Sequence, residues 1–163
     1  MSSQISLLRL STWNVKGLGN PVKRKKNMTM LKNKKYDVVF LQETHMSKEE
    51  SEKLCTGWVG HVFYSIGSSK SKGVIILVNK HLQFKCLKQI KDNLGRMIIV
   101  LAEIQFQKLI LANIYAPNLD DQSFFIDLER KLQNAGNYDV VLGGDFNLLM
   151  DPALDHSGTM LRK

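Results

Sequence analysis

Apolar residues recur along this chain in two periods, one of strands and one of helices. Continuous or alternating apolar runs of strand length occupy residues 5–13, 36–41, 61–66, 74–79, 82–90, 97–104 and 109–115, and another begins at Tyr138. They are rich in β-branched residues and bounded by Gly, Pro, Asn and Asp, which predicts strands. The spacing Val22, Met28, Leu31 behind Asn20-Pro21 predicts a helix over 21–34, with Asn20 as N-cap and Pro21 at the first helical position. Ser47 with Glu50 forms a capping box for a second helix to about residue 55. Phe124, Phe125, Leu128 and Leu132 make the core-directed stripe of a third helix, capped by Asp120 or Asp121 and ended by Gly136 and Asn137. The short spacing of the central strands predicts antiparallel hairpins, with a polar turn at 67–73. Residues 148–163 carry Pro152 and Gly158 and little periodicity, so they read as loop.

Two parts of this pattern repeat. Tyr36-Asp37-Val38-Val39 and Tyr138-Asp139-Val140-Val141 begin 102 residues apart, and at the same offset Glu43 matches Asp145. Before each lies a strand, a Pro-containing loop and a helix. Strand–helix–strand units have parallel strands whose C-terminal ends share one edge. Asn14 and Glu43 then share one edge, and Tyr115, Asp145 and Asn147 another. If the halves pack sheet on sheet about a pseudo-twofold axis, all five meet at one cleft, the usual place for a ligand in such units. The stretch 138–147 is expected to begin as a buried strand. Its Gly143 and Gly144 let the backbone turn sharply and let something bulky come close.

Composition narrows the class. The chain has 163 residues, 44% apolar and 23% charged, which suits one globular domain. No apolar run is long enough to span a membrane, and no N-terminal signal is visible. Cys55 and Cys86 are isolated, which implies a reducing, intracellular setting and two buried or inert thiols. The net charge of +8 is uneven: nine Lys or Arg and no acidic residue precede Asp37, and seven of the nine fall between Lys23 and Lys35. Such a block is a solvated helix face, a nuclear import signal or a polyanion-binding surface.

Two carboxylates, two amides and a tyrosine, with no Cys ligands, suit a hard cation held by oxygen. Mg²⁺ keeps several waters and takes one or two carboxylates plus substrate phosphate, and Mn²⁺ is an alternative. Glu43 is the expected direct ligand. Asp145 is a second ligand or the group that orients or deprotonates the attacking water. Asn14 and Asn147 are placed to hold phosphate oxygens, and Tyr115 to hydrogen-bond the phosphate. Singly, each has a plain reading: Glu43 as a surface residue, Asn14 as a turn former, Tyr115 as an interface residue. His45, His61 and His81 read as surface or turn residues.

Four motifs now stand in order: Thr12-Trp13-Asn14-Val15, Leu41-Gln42-Glu43-Thr44, Asn113-Ile114-Tyr115-Ala116-Pro117-Asn118 and Gly143-Gly144-Asp145-Phe146-Asn147. Together they resemble the exonuclease–endonuclease–phosphatase superfamily, which includes DNase I. With Lys16-Gly17-Leu18 they look most like the endonuclease domain of LINE-type retrotransposons. The resemblance implies an α/β fold, a four-layer αββα sandwich of two packed mixed sheets, DNase I-like, here with an incomplete second half. It implies a Mg²⁺-dependent phosphodiesterase that nicks double-stranded DNA in the nucleus, with a reverse transcriptase domain in an intact member. The block Lys23, Arg24, Lys25 and Lys26, with Asn118, becomes a candidate nucleic-acid contact. The family's Ser-Asp-His motif, whose His is catalytic, does not occur in these residues. His156 reads as a loop residue instead. The expectation is a C-terminally truncated domain that binds metal and DNA and is weak or inactive as a nuclease alone. A non-catalytic nucleic-acid-binding remnant, and a phosphatase or RNase member, are the alternatives.

Overall fold

The computed structural model describes residues 7–58, 60–68, 71–118 and 121–148. The part of the first run at 5–6, Asp120 as a cap, His156 and the loop reading of 149–163 lie outside the described residues. The order is β1 (Leu10–Asn14), α1 (Pro21–Lys34), β2 (Val38–Gln42), α2 (Lys48–Gly57), β3 (Gly60–Ser65), β4 (Val74–Asn79), β5 (Phe84–Lys91), β6 (Met97–Ile104), β7 (Gln107–Tyr115), α3 (Gln122–Ala135) and β8 (Asp139–Asp145).

Local chemistry explains the helix ends. The Asn20 side chain accepts from the N–H groups of Val22 and Lys23, with Pro21 opening α1 where its missing N–H costs nothing. Ser47 and Glu50 form a complete capping box at α2. Asp121 caps α3 through the Ser123 N–H.

The strands form two four-stranded sheets, ordered β1-β2-β4-β3 and β5-β6-β7-β8. Each is mixed: β1 runs parallel to β2 and β7 parallel to β8, and the remaining pairs are antiparallel. The expected hairpins form at β3–β4, β5–β6 and β6–β7. Between β4 and β5 there is no pairing. There Asn79 turns the chain by accepting from His81 N and Leu82 N, and the chain passes from one sheet to the other.

Three apolar layers hold four structural layers together. Met28, Leu31 and Leu54 of α1 and α2 bury against Val39, Leu41, Ile75 and Leu77. Phe40, Ile76, Ile98, Val100 and Leu111 fill the space between the sheets. Phe124 and Leu128 of α3 cover Ile99, Ile110 and Ala112. This is the αββα sandwich, and alternate side chains of each central strand serve two of its layers.

Three sequence readings need correction. Val22 is 78% exposed and is not part of the α1 core face. Cys55 and Cys86 are exposed free thiols rather than buried ones, although partial desolvation of each sulfur raises its pKa and keeps it protonated. The stretch from Tyr138 is not a buried strand: Tyr138, Val140 and Leu142 are exposed. Val141 points into the layer between the sheets, so its neighbours Val140 and Leu142 face outward. Among the described residues β8 is an edge strand, and α3 lies over β5 to β7 rather than over it. The close approach expected at Gly143 is met within the fold. The bulky group that approaches it is Phe40 of the facing sheet: a Cβ there would lie 2.9 Å from the Phe40 ring.

Candidate active site

The parallel pairs bring their C-terminal ends to the same rim of the sandwich. In the first half, Asn14 pairs with Gln42. In the second, Tyr115 pairs with Asp145. The repeat is therefore offset by one residue in its first strand: Gly144, the counterpart of Gln42, pairs with Ile114. Val15, not Asn14, is the counterpart of Tyr115.

The Asn14 amide joins the halves. Its Nδ2 donates to Glu43 Oε1 at 2.7 Å and to Asp145 Oδ2 at 2.9 Å. Asn14 Oδ1 in turn accepts from the Lys16 N–H. Both N–H bonds of this amide are engaged by the two carboxylates. A neutral amide between two acids lowers their repulsion without cancelling their charge. The remaining Asp145 Oδ1 accepts from Asn147 N at 3.0 Å, and Asn147 Nδ2 donates to Ala116 O at 2.6 Å. The Tyr115 hydroxyl donates to Glu43. Burial pushes the Tyr115 phenol up; the Glu43 charge and hydrogen bond add to this, Arg96 opposes it, and Asp145 adds a little more.

The backbone here is strained and held. Lys16, Glu43, His45 and Asn147 all have positive φ, between 47° and 52°. For residues other than glycine such conformations cost about 1–3 kcal/mol each and persist where neighbours over-determine them. On one side Gly17 N and Leu18 N donate to the carbonyls of Glu43 and Thr44; on the other, Thr44 N and His45 N donate to those of Gly73 and Lys72. The segment that carries Glu43 is thus hydrogen-bonded on both flanks.

A cleft of about 700 Å³ opens over these groups, lined among others by Trp13, Asn14, Gln42, Asn118, Asp145 and Asn147. Hydrogen bonds join all five catalytic candidates, Asn14, Glu43, Tyr115, Asp145 and Asn147; of these Asn14, Asp145 and Asn147 line the cleft, and Asn118 joins its wall. The four basic candidates do not line that cleft. Lys23 Nζ donates to the carbonyls of Val15 and Lys16, and Arg24 donates to Leu18 and Gly19 and lies 4.0 Å from Glu50. These two brace the loop behind Asn14. Lys25 and Lys26 line a separate groove along α1.

Two groups were missed. His45 has the turn backbone expected of it, yet its Nε2 lies 3.6 Å from Glu43 Oε2. Arg96 stacks on Tyr115, its guanidinium carbon 5.3 Å from the ring centroid, and donates to the Tyr115 carbonyl. Asp92 sets the Arg96 loop by accepting from Arg96 N, Met97 N and the Ser65 hydroxyl. His45 follows Glu43 by two residues, which was a usable signal. Arg96 lies far from any motif and had none.

Among the described residues no group of three or more His, Cys, Asp or Glu is arranged around a metal position. Two carboxylates with neighbouring oxygen donors still match the chemistry of an ion that brings most of its own waters.

A two-sheet sandwich with this paired-carboxylate rim defines the class, a DNase I-like α/β protein. The chain belongs to the Endonuclease/Exonuclease/phosphatase family, whose model matches residues 11–162. It is similar to a Xenopus laevis protein described as "Transposon TX1 uncharacterized 149 kDa protein", at 29% identity over 147 residues. That match takes in 88% of this chain and 11% of the relative, so the chain spans about a tenth of the relative's length. Among solved structures it resembles TDP2 from Caenorhabditis elegans, with TM-score 0.61, 21% identity, and coverage of 87% of this chain and 48% of that one. A humanized D. rerio TDP2 gives TM-score 0.64 at 22% identity, covering 88% and 67%. At such identities these two establish the fold alone.

Proposed function

We propose that this chain carries the site of a divalent-metal-dependent phosphodiesterase of the retrotransposon endonuclease type, acting on double-stranded DNA. The observation that carries this reading is the Asn14 amide bridging Glu43 and Asp145 from opposite sheets. That contact concentrates negative charge at one point on a rim that also holds phosphate-binding donors. Glu43 and Asp145 would hold Mg²⁺ or Mn²⁺. When bound, the ion polarises the phosphoryl group and stabilises the leaving oxygen. Asp145, held by Asn14 and Asn147, orients the attacking water and takes its proton. The remaining N–H of Asn147 and the Asn118 amide face the phosphate, and the Tyr115 hydroxyl holds Glu43 beside them. Arg96, fixed on the Tyr115 ring, adds a positive charge beside it. The transposon relative supports a mobile-element setting and so DNA as substrate; a nuclear place of action and a reverse transcriptase domain as partner in an intact member are what the resemblance to LINE-type endonucleases implies. No described helix is long and apolar enough to cross a membrane.

Calorimetric titration with Mg²⁺ and Mn²⁺, beside nicking of supercoiled plasmid, tests this. Expected are one metal site that Glu43→Ala removes and nicking that EDTA abolishes. Absence of metal binding would sink the reading. Metal and DNA binding without nicking would favour the non-catalytic nucleic-acid-binding alternative.

A further inference from the structure

Directly behind the cleft lies a buried polar link between the two sheets. Asn113 of β7 is 0% exposed and Gln42 of β2 is 1% exposed. Asn113 Nδ2 crosses the sandwich and donates to the carbonyls of Leu41 at 2.9 Å and Ile75 at 2.8 Å. Its Oδ1 accepts from Gln42 Nε2 at 2.7 Å, and the same Nε2 donates to Thr12 Oγ1 at 3.1 Å. All four N–H bonds of the two amides are used. A flipped Asn113 would set its oxygen against two carbonyl oxygens, so its orientation is fixed.

An apolar layer tolerates small slides, because dispersion contacts have little directionality. Directional hydrogen bonds at full burial do not tolerate them, since each broken one leaves an unsatisfied group at about 1–3 kcal/mol. This link sits one residue before Glu43 and two before Tyr115. It ties β7 to β1, β2 and β4 at the point where the two half-sites must meet.

We propose that Asn113, with Gln42, is a positioning pair that sets the separation of Glu43 from Tyr115 and Asp145. The pair touches no reacting atom. It acts by holding the sheets in the one register at which the Asn14 amide reaches both carboxylates. Its functional meaning rests on the phosphodiesterase reading, but its geometric content does not.

The test uses the full chain and two readouts. The first is the Asn14 side-chain amide in a ¹H–¹⁵N spectrum, whose two protons each report one carboxylate. The second is Mn²⁺ affinity. Asn113→Leu is expected to collapse the Asn14 amide shifts toward those of a free amide and to weaken Mn²⁺ by about ten- to hundredfold, as for other residues that orient metal ligands. Leu128→Ala, a cavity beneath α3 remote from the rim, controls for general loss of stability. It should leave the Asn14 amide in place and change Mn²⁺ affinity less than about twofold, given its distance from the site. Should Asn113→Leu not fold, Gln42→Met keeps both Asn113–carbonyl bonds and loses the Gln42 bonds to Asn113 and Thr12; it should move the Asn14 signal the same way by less. An unmoved Asn14 amide in the folded variant, or an equal shift in Leu128→Ala, overturns the proposal. If the wild-type chain binds no Mn²⁺, the phosphodiesterase reading fails, and the amide spectrum still decides the positioning role.

Discussion

The same four residues, Tyr-Asp-Val-Val, lead the chain into strands β2 and β8, which live in opposite surroundings. Val38 and Val39 of β2 are both 0% exposed, whereas Val140 of β8 is 44% exposed. The difference is one of neighbours. β2 lies between β1 and β4, beneath α1 and α2 and above the second sheet. β8 has β7 on one side, and α3 stands over other strands. Yet Glu43 and Asp145, which follow the two copies, reach the same amide. A half-site can therefore be placed by parallel pairing and strand direction alone, without full burial of the strand that carries it.

The largest way to break this contrast is at the strand ends. Gly144 has φ 149°, and a Cβ there would lie 2.3 Å from the Ile114 carbonyl oxygen. Gly144→Ala is expected to cost about 3–5 kcal/mol, the sum of overpacking and backbone strain. Its counterpart Gln42 carries a full side chain, so only the β8 copy has this restriction. Urea unfolding reads the effect, and a loss under about 1 kcal/mol would show that β8 can shift away from β7.

A matched pair of truncations comes next. Val38→Ala should lose about 2–3 kcal/mol, from transfer of the removed methyls plus the cavity they leave. Val140→Ala should stay within about 0.5 kcal/mol. Equal losses in the two variants would mean that β8 is covered in solution.

Charge on the open face sharpens the point. Val140→Lys should leave thermal stability within about 0.5 kcal/mol and reduce self-association and dye binding, because an apolar edge strand is a template for pairing. Light scattering and anilinonaphthalene fluorescence check it. Loss of folding would place Val140 inside an apolar contact.

The smallest effect is at Tyr115, whose counterpart Val15 cannot ionise. Its folded pKa is raised, chiefly by burial and then by Glu43. Above the unfolded value of about 10 the unfolded chain holds fewer protons than the native one, so stability falls with rising pH. That contribution is fully present below pH ~10 and disappears through the raised native pKa. Tyr115→Phe should flatten this alkaline loss and leave stability at pH 7 nearly unchanged. An ultraviolet titration with matched thermal melts tests it, and an identical alkaline slope in both proteins would refute the assignment.

Much of this was legible in the chain because its causes are local. Asn20-Pro21 and the Ser47–Glu50 box fix helix starts within one turn, and β-branched runs fix strands by their own sterics. The pairing of Glu43 with Asp145 was legible too, since a repeated strand–helix–strand unit carries its handedness with it. The roles of Lys23 and Arg24 were not. Their charge invited phosphate, but the carbonyls within reach belong to the loop that supports Asn14. His45 and Arg96 escaped because loop geometry brings them to the rim: for His45 it is set by Lys72 and Gly73, remote in sequence, and for Arg96 by Asp92, four residues before it in a loop that carries no motif.

The sequence by itself determined the elements, the parallel units and the identity of the five rim residues, because periodicity, caps and chirality act over a few residues. Tertiary structure alone decided that β8 is an edge among the described residues, that Phe40 fills the space at Gly143, and that Asn14 joins the acids. Those outcomes depend on which surfaces meet across the sandwich, and the one-residue offset between the two halves is set by that meeting and not by either strand.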